Sequence, residues 1–200
     1  MGALEWGATI FSLIYILFAM NNKTICFLFG IIGSGLWMIS SYQAGLKFDA
    51  ALQVFYVLIS ILGIYRWKYG GSKKEELPIT EYSLKQHFFI TVIGLICSAF
   101  LIYISQFIEF INLPILDATT TVFLVIGTLL LIERKLSSWI YLVVADIVYV
   151  YIYGVSGLWL FVGIMILYII FGINGYLNWR TIYSGNSELL TASNSLDSEI

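Results

Sequence analysis

The chain of 200 residues is a succession of long apolar segments separated by short polar breaks. Most segments approach the ~20 residues that a helix needs to cross a bilayer, and only helices satisfy their own backbone hydrogen bonds in lipid. The pattern therefore predicts an all-α integral membrane protein with seven transmembrane helices, at residues 6–20, 25–43, 48–67, 87–111, 117–132, 137–153 and 159–179. The Ser- and Asn-rich tail that follows is expected to lack regular structure.

Composition supports this class, because 60% of the residues are hydrophobic and only 11% are charged. A soluble domain of this length needs more charge on its surface. Cys26 and Cys97 fall inside apolar segments and are predicted to be small buried side chains. The sequence has no metal-ligand spacing, phosphate-binding glycine loop or nucleophile elbow, which disfavours a membrane enzyme and implies no cofactor.

A shift of the sequence by 112 positions without gaps superimposes matching residues, among them Lys23 on Lys135, Gly45 on Gly157, Tyr56 on Tyr168, Gly63 on Gly175 and Trp67 on Trp179. The match predicts a parallel 3+1+3 repeat, with a substrate site where the two units face each other near the bilayer midplane. The predicted parts are a first three-helix unit (1–67), a cytoplasmic loop with a linking fourth helix (68–111), a second unit (112–180) and a cytoplasmic tail (181–200).

Asp146 lies in the middle of the sixth apolar segment. A charge at the bilayer centre costs roughly 2.5–3.5 kcal/mol on insertion scales, so it needs a partner or a wet cavity. Helical spacing places Trp139, Asp146, Tyr149 and Tyr153 on one face, and an aromatic strip with one anion suits a planar, cationic ligand. The alternative is a protonated or hydrogen-bonded Asp146 that locks the sixth helix to a neighbour.

Polar and aromatic residues on other helices are further candidates for substrate binding: Gln53, Tyr56 and Ser60 on the third helix, Asn174 on the seventh and Trp37 on the second. Interhelical hydrogen bonds are the alternative for the polar ones.

Several other residues are expected to be structural. Gly30 and Ser34 have the spacing of close helix packing, and the run Thr119–Thr121 is expected to bond between helices. Trp6, Trp159 and Trp179 are expected as interfacial anchors near helix ends. For the pair Arg134 and Lys135 no role beyond membrane orientation is expected.

Three stretches resemble the PnuC nicotinamide riboside transporter family: Leu52–Trp67, Asp117–Trp139 and Ser156–Trp179. The resemblance implies a fused pair of semiSWEET-like units, a homotrimer, and facilitated diffusion of an unphosphorylated vitamin that a cytoplasmic kinase then traps. It also implies that Asp146 occupies a ligand-binding position, where the family typically has Asn. Leu142 and Ile64 depart from the family, which commonly has Trp at both positions.

The leading hypothesis is a vitamin transporter of the bacterial plasma (inner) membrane, with nicotinamide riboside as the first candidate substrate and thiamine as the second. Both carry a cationic ring that suits Asp146. A semiSWEET-like sugar facilitator and a proton-coupled carrier with Asp146 as its proton site are the alternatives from other classes.

The distribution of basic residues predicts that the N-terminus is outside and the C-terminus cytoplasmic. Nine of the ten Lys and Arg residues follow odd-numbered helices, and only Lys47 lies on the other side. A reporter that fluoresces only in the cytoplasm should therefore be bright when fused to the C-terminus. A dark fusion that is nevertheless inserted in the membrane would reverse this topology.

Overall fold

The computed structural model describes residues 2–43, 47–105 and 114–197. Over these residues the fold is all-helical, and the predicted seven helices are confirmed. They are α1 (Ala3–Met20), α2 (Cys26–Gln43), α3 (Lys47–Tyr69), α4 (Leu84–Ser105), α5 (Pro114–Ile132), α6 (Ser138–Val155) and α7 (Trp159–Asp197), with one 3-10 turn at Ser72–Lys74. Six helices are long and apolar enough to cross a membrane, namely α1, α2, α4, α5, α6 and the Trp159–Gly185 part of α7.

Six of the helices contact one another in a closed cycle. α1 packs on α2, α2 on α3, α3 on α5, α5 on α6, α6 on α7, and α7 on α1. α4 packs against α5 outside this ring. The ring thus joins one group, α1–α3, to another, α5–α7, along two seams that we name the α3–α5 seam and the α1–α7 seam.

The turns between α1 and α2 and between α5 and α6 have matched backbone geometry. Asn22 and Arg134, which stand 112 positions apart, are non-glycine residues with φ of 55° and 48°. The residues that follow them donate equivalent hydrogen bonds, from Lys23 N to Phe18 O at 3.0 Å and from Lys135 N to Leu130 O at 2.9 Å. Two turns with different side chains therefore adopt one conformation.

Four aromatic side chains, which we call the aromatic row, cross the ring beside these turns. Phe27 meets Trp67 at 4.9 Å between ring centroids, Trp67 meets Trp179 at 5.5 Å, and Trp179 meets Trp139 at 5.5 Å. All four are fully buried. The expectation that Trp179 is an interfacial anchor is therefore wrong, because its indole fills the core; Trp6 and Trp159 are exposed.

Two glycines let the aromatic row pack closely. A Cβ on Gly63 would clash with the Phe27 ring, and a Cβ on Gly175 would lie 2.7 Å from the Trp139 ring. Since side chains in a close-packed core cannot yield by that much without strain, these positions admit no larger residue at low cost.

The connection between α3 and α4 crosses the end of the ring at the α5–α6 turn. This strap, residues 70–83, forms a short parallel bridge in which Thr80 N donates to Arg134 O at 3.0 Å and Leu136 N donates to Thr80 O at 2.9 Å. Arg134 is only 3% exposed and donates to Leu77 O, so its role extends beyond membrane orientation. Burial lowers the pKa of Arg134 and of Lys135.

Two further expectations from the sequence differ from the structure. Cys26 is buried as predicted, but Cys97 is exposed, since it lies on the outer face of α4. The tail does not lose regular structure at Thr181, because α7 continues to Asp197. No proline interrupts this stretch, and its single glycine, Gly185, is tolerated within a helix.

A pair of substitutions on α7 tests the tight packing of the aromatic row. Gly175→Ala should lower the free energy of unfolding by about 1–3 kcal/mol, because the new methyl group meets the Trp139 ring. Gly163→Ala is the matched control, since a Cβ there meets nothing within 4 Å, and it should raise stability by about 0.5–1 kcal/mol. Thermal unfolding of the purified variants measures both effects; equal effects would contradict the packing described.

Candidate functional site

A cavity of about 130 Å³ opens among the helices of the ring. α1, α2 and α3 form most of its wall, and α5 contributes one residue. The lining residues are Ser12, Tyr15, Phe27, Gly30, Ser34, Tyr56, Ile59, Ser60 and Thr128. The wall is therefore aromatic with several hydroxyl groups, as suits a polar ring system.

Two of the candidates from the sequence, Tyr56 and Ser60, line this cavity one helical turn apart on α3. Gly30 and Ser34, expected to serve helix packing, line it as well. A Cβ on Gly30 would lie 2.9 Å from Ser60 Oγ and 3.1 Å from the Tyr15 ring. Gly30 thus permits close packing and also leaves room in the cavity.

Sequence reasoning missed Ser12 and Tyr15 on α1 and Thr128 on α5, which also line the cavity. α1 was treated as an ordinary apolar span. The available signal was a hydroxyl residue and a tyrosine three positions apart, which puts both on one helical face.

Asp146 lies on α6 with 6% of its surface exposed. Within the described part of the chain, no hydrogen bond or ion pair reaches its carboxyl group. Its electrostatic neighbour is Tyr168 on α7, whose hydroxyl makes a polar contact with the Ser12 hydroxyl of the cavity wall. Tyr168 thus has a polar contact with the cavity wall, whereas no hydrogen bond or ion pair among the described residues joins Asp146 to that wall.

Tyrosines of α1, α3 and α6 are half-buried and carry polar groups between the helices. Tyr15 and Tyr56 line the cavity. The Tyr149 hydroxyl lies 3.1 Å from Thr121 Oγ1, which confirms interhelical bonding for Thr121. Thr120 instead donates to Leu116 O within α5. Tyr149 also stacks on Tyr153, with ring centroids 5.4 Å apart and planes 17° from parallel. The α6 face predicted from helical spacing is thus aromatic and polar at Tyr149 and Tyr153, and it contacts α5 through Thr121.

The remaining candidates lie apart from the cavity. Trp139 is buried in the aromatic row, and its Nε1 has no hydrogen-bond partner. Gln53 and Trp37 are half-buried and do not line the cavity. Asn174 is exposed on α7 and donates to Ile170 O at 2.8 Å within its own helix. The structure therefore brings Tyr56 and Ser60 into the cavity wall, but not these four.

The charges around the site constrain what it can bind. Every Lys, Arg and His of the sequence lies at a helix end, in a connection or, for Arg180, near the end of the apolar Trp159–Gly185 part of α7, whereas Asp146 lies in the middle of its span. A cavity of about 130 Å³ is smaller than the ~300–1,000 Å³ of typical ligand pockets, so it holds a single ring. A larger ligand requires that the surrounding side chains move.

Comparison with known proteins now adds the family. The profile of the family described as "Nicotinamide mononucleotide transporter" matches residues 2–181. A solved structure described as "Crystal structure of the Vitamin B3 transporter PnuC" has the same fold, with a TM-score of 0.71 at 20% sequence identity. The alignment covers 90% of this chain and 82% of that one. No curated protein sequence matches significantly. Because the family profile spans nearly all of the ring, the chain belongs to the nicotinamide mononucleotide transporter family and is a multi-pass membrane transporter.

Proposed function

We propose that the protein carries an unphosphorylated, cationic vitamin across the bacterial plasma membrane by facilitated diffusion, with nicotinamide riboside as the first candidate and thiamine as the second. The observation that carries the proposal is Asp146, a buried carboxylate for which the described residues provide no ion pair, in the same ring of helices as an aromatic cavity. A cationic ring neutralises the charge of such a group, and a planar ring can stack on tyrosine.

The absence of basic residues from the middle of the spans favours the unphosphorylated form of the vitamin. A phosphate brings up to two negative charges, and a carboxylate at the same depth would repel them. The family is named for a mononucleotide, and the solved relative for vitamin B3. A riboside carries no phosphate, so the Asp146 carboxylate is the one anion of the pair. A mononucleotide would place its phosphate and the Asp146 carboxylate together in the apolar interior of the helix ring.

Cytoplasmic phosphorylation completes the scheme, because it converts the riboside into a form that this site disfavours. A kinase inside the cell then keeps the internal concentration of the free vitamin low. A neutral sugar would gain nothing from Asp146, and so the sugar facilitator fits the site less well.

The transport path in this proposal runs between two parallel three-helix units, α1–α3 and α5–α7, with α3 as a seventh membrane span. Two observations support the repeat. The turns after α1 and α5 have matching hydrogen bonds 112 positions apart. Trp67 Nε1 donates to Leu131 O at 3.2 Å, and its counterpart Trp179 Nε1 donates to Ala19 O at 3.1 Å, again with both members shifted by 112. Assembly as a homotrimer and an external N-terminus belong to the same proposal.

Within this path, Asp146, Tyr149, Tyr56 and Ser60 are proposed to contact the vitamin. The proposed contacts also include Trp139, Tyr153, Gln53, Asn174 and Trp37, each of which requires a rearrangement that brings it to the cavity. Since the cavity is smaller than a riboside, substrate entry itself demands such a rearrangement.

Asp146→Asn tests the role of the charge, because it removes the negative charge and keeps the shape. At an effective dielectric of ~20, unit charges about 4 Å apart attract by roughly 4 kcal/mol. Desolvation offsets part of this attraction and leaves a net gain of about 1–3 kcal/mol. Nicotinamide riboside should therefore bind about 5–150-fold more weakly to the variant. Isothermal titration of both proteins with nicotinamide riboside and with thiamine measures the change.

Glu5→Gln is the matched control, because it also neutralises a carboxylate. Glu5 lies in the first turn of α1 rather than at mid-helix, so its substitution should leave the affinity within about 2-fold. If Asp146 only locks α6 to a neighbour, Asp146→Asn should lower the melting temperature while any residual binding keeps its affinity. Unchanged affinity for both vitamins would remove Asp146 from the site.

Transport should equilibrate the vitamin without accumulating it, because the sequence offers no chain of ionisable groups, in addition to Asp146, that could carry a proton or an ion across the membrane. Purified protein in proteoliposomes should bring internal nicotinamide riboside to the external concentration and no higher. Imposed pH and sodium gradients serve as the test conditions. Accumulation above the external concentration under either gradient would show coupled transport instead.

A further inference from the structure

The two seams of the ring are built from equivalent residues and share one hydrogen bond. At the α3–α5 seam, Trp67 donates to the carbonyl of Leu131, and at the α1–α7 seam, Trp179 donates to the carbonyl of Ala19. The two donor–acceptor distances, 3.2 and 3.1 Å, are nearly equal. α1 and α7 also pack on each other more extensively than α3 and α5 do, so what distinguishes the α3–α5 seam is the set of polar bonds at the helix ends.

An ion pair strengthens only the α3–α5 seam. Arg66 Nε lies 2.8 Å from Glu133 Oε1, and a second guanidinium nitrogen contacts the other carboxylate oxygen. The counterparts of these two residues, 112 positions away, are Asn178 and Asn21. Asn21 donates to Leu17 O within α1, and Asn178 reaches only Met20 O at 3.5 Å. The α1–α7 seam thus has two neutral amides where the other seam has a bidentate ion pair.

The strap adds further bonds to the same strong seam. Leu77 N donates to Trp67 O at 3.1 Å, and this ties the strap to the end of α3. On the other side, Ser137 at the start of α6 donates its N–H and its hydroxyl to the Glu81 carboxylate at 2.7 and 2.8 Å. With the Thr80 bridge to the α5–α6 turn, the strap joins the ends of α3, α5 and α6 into one unit.

The turns at the two seams also differ, and the additional interaction again lies at the α3–α5 seam. Arg134 in the α5–α6 turn lies over the Trp67 ring, 4.4 Å from its centroid. Its counterpart in the α1–α2 turn is Asn22, whose Oδ1 is buried without a hydrogen-bond partner. Arg134 Nε is likewise buried without a partner among the described residues, so the difference between the two turns is the cation over the indole.

We infer that the ring opens to the cytoplasm at the α1–α7 seam, while the ends of α3, α5 and α6 and the strap move as one rigid body. Asn21, Asn178 and Trp179 then set how readily the seam opens. The inference rests on the proposed function in two respects. Transport requires the ring to open, and the proposed topology places this end of the ring in the cytoplasm. It does not depend on which vitamin is carried.

Cys26 supplies a native reporter of this opening. It has no exposed surface and belongs to the same buried cluster as Ala19, Phe27, Trp67 and Trp179. Cys97 is the other cysteine and is exposed, so Cys97→Ala leaves one thiol, which reacts only when the cluster opens. The rate at which a small maleimide alkylates Cys26 in lipid nanodiscs, without ligand, then measures opening.

In the Cys97→Ala background, Trp179→Phe should speed the alkylation of Cys26 about 5-fold, the factor expected for loss of one neutral hydrogen bond. Trp67→Phe removes the same bond from the other seam and should change the rate less than 2-fold. This control is stringent, because Trp67 packs directly on Phe27, the residue after Cys26. A nonspecific loss of packing would therefore speed the reaction more in Trp67→Phe than in Trp179→Phe. Equal acceleration by both variants, no acceleration by either, or faster reaction with Trp67→Phe would overturn it.

A second variant tests the seam by strengthening it, and it applies even where Trp179→Phe fails to fold. Asn21→Glu combined with Asn178→Arg copies the Glu133–Arg66 pair to the α1–α7 seam and should slow alkylation at least 3-fold. Each single substitution is a control and should not slow it. An unchanged rate in the double variant would overturn the inference. Binding and uptake are measured separately, so failure of the vitamin proposal would leave this result interpretable.

Discussion

Two indole–carbonyl hydrogen bonds, one at each seam, close six helices into a ring, and the interior of the protein depends on that closure. The ring places hydroxyl groups and a carboxylate away from lipid, where polar groups can exist only beside other polar groups or water. Asp146, Tyr168 and Ser12 gain their shared environment in this way. A ring open to lipid along one seam would expose the same groups to hydrocarbon.

Closure has a second consequence, because a ring with two unequal seams is disposed to open at one of them. The α3–α5 seam combines an ion pair, a strap and a cation over an indole, whereas the α1–α7 seam has amides and a single indole bond. The Arg66–Glu133 pair is about one-third exposed, so water screens it, but its bidentate geometry still adds a contact that the two amides do not supply. Unequal seams therefore permit a moving part and a rigid part in a fold whose two turns and two indole bonds match.

The sequence predicted the helices, their breaks and the position of Asp146, because hydropathy and the cost of a buried charge are properties of single segments. The shift by 112 also pointed to the pairs that later proved equivalent in the seams, such as Trp67 and Trp179. Periodicity cannot tell which face of an apolar helix meets a cavity and which meets lipid. For this reason Ser12 and Tyr15 were missed, Trp179 was placed at the interface, and Asn174 was included although it is exposed. The burial of Arg134 depends on the strap, whose contacts join residues more than 50 positions apart.

The most direct test of charge recognition changes the ligand and leaves the protein untouched. Reduced nicotinamide riboside has a neutral dihydropyridine ring of nearly the same size as the cationic ring of the oxidised form. If the Asp146 carboxylate pairs with the ring cation, titration of the wild-type protein should give a Kd for the reduced riboside that is about 5–150-fold higher than for the oxidised one. Equal dissociation constants for the two forms would contradict charge recognition in the ring.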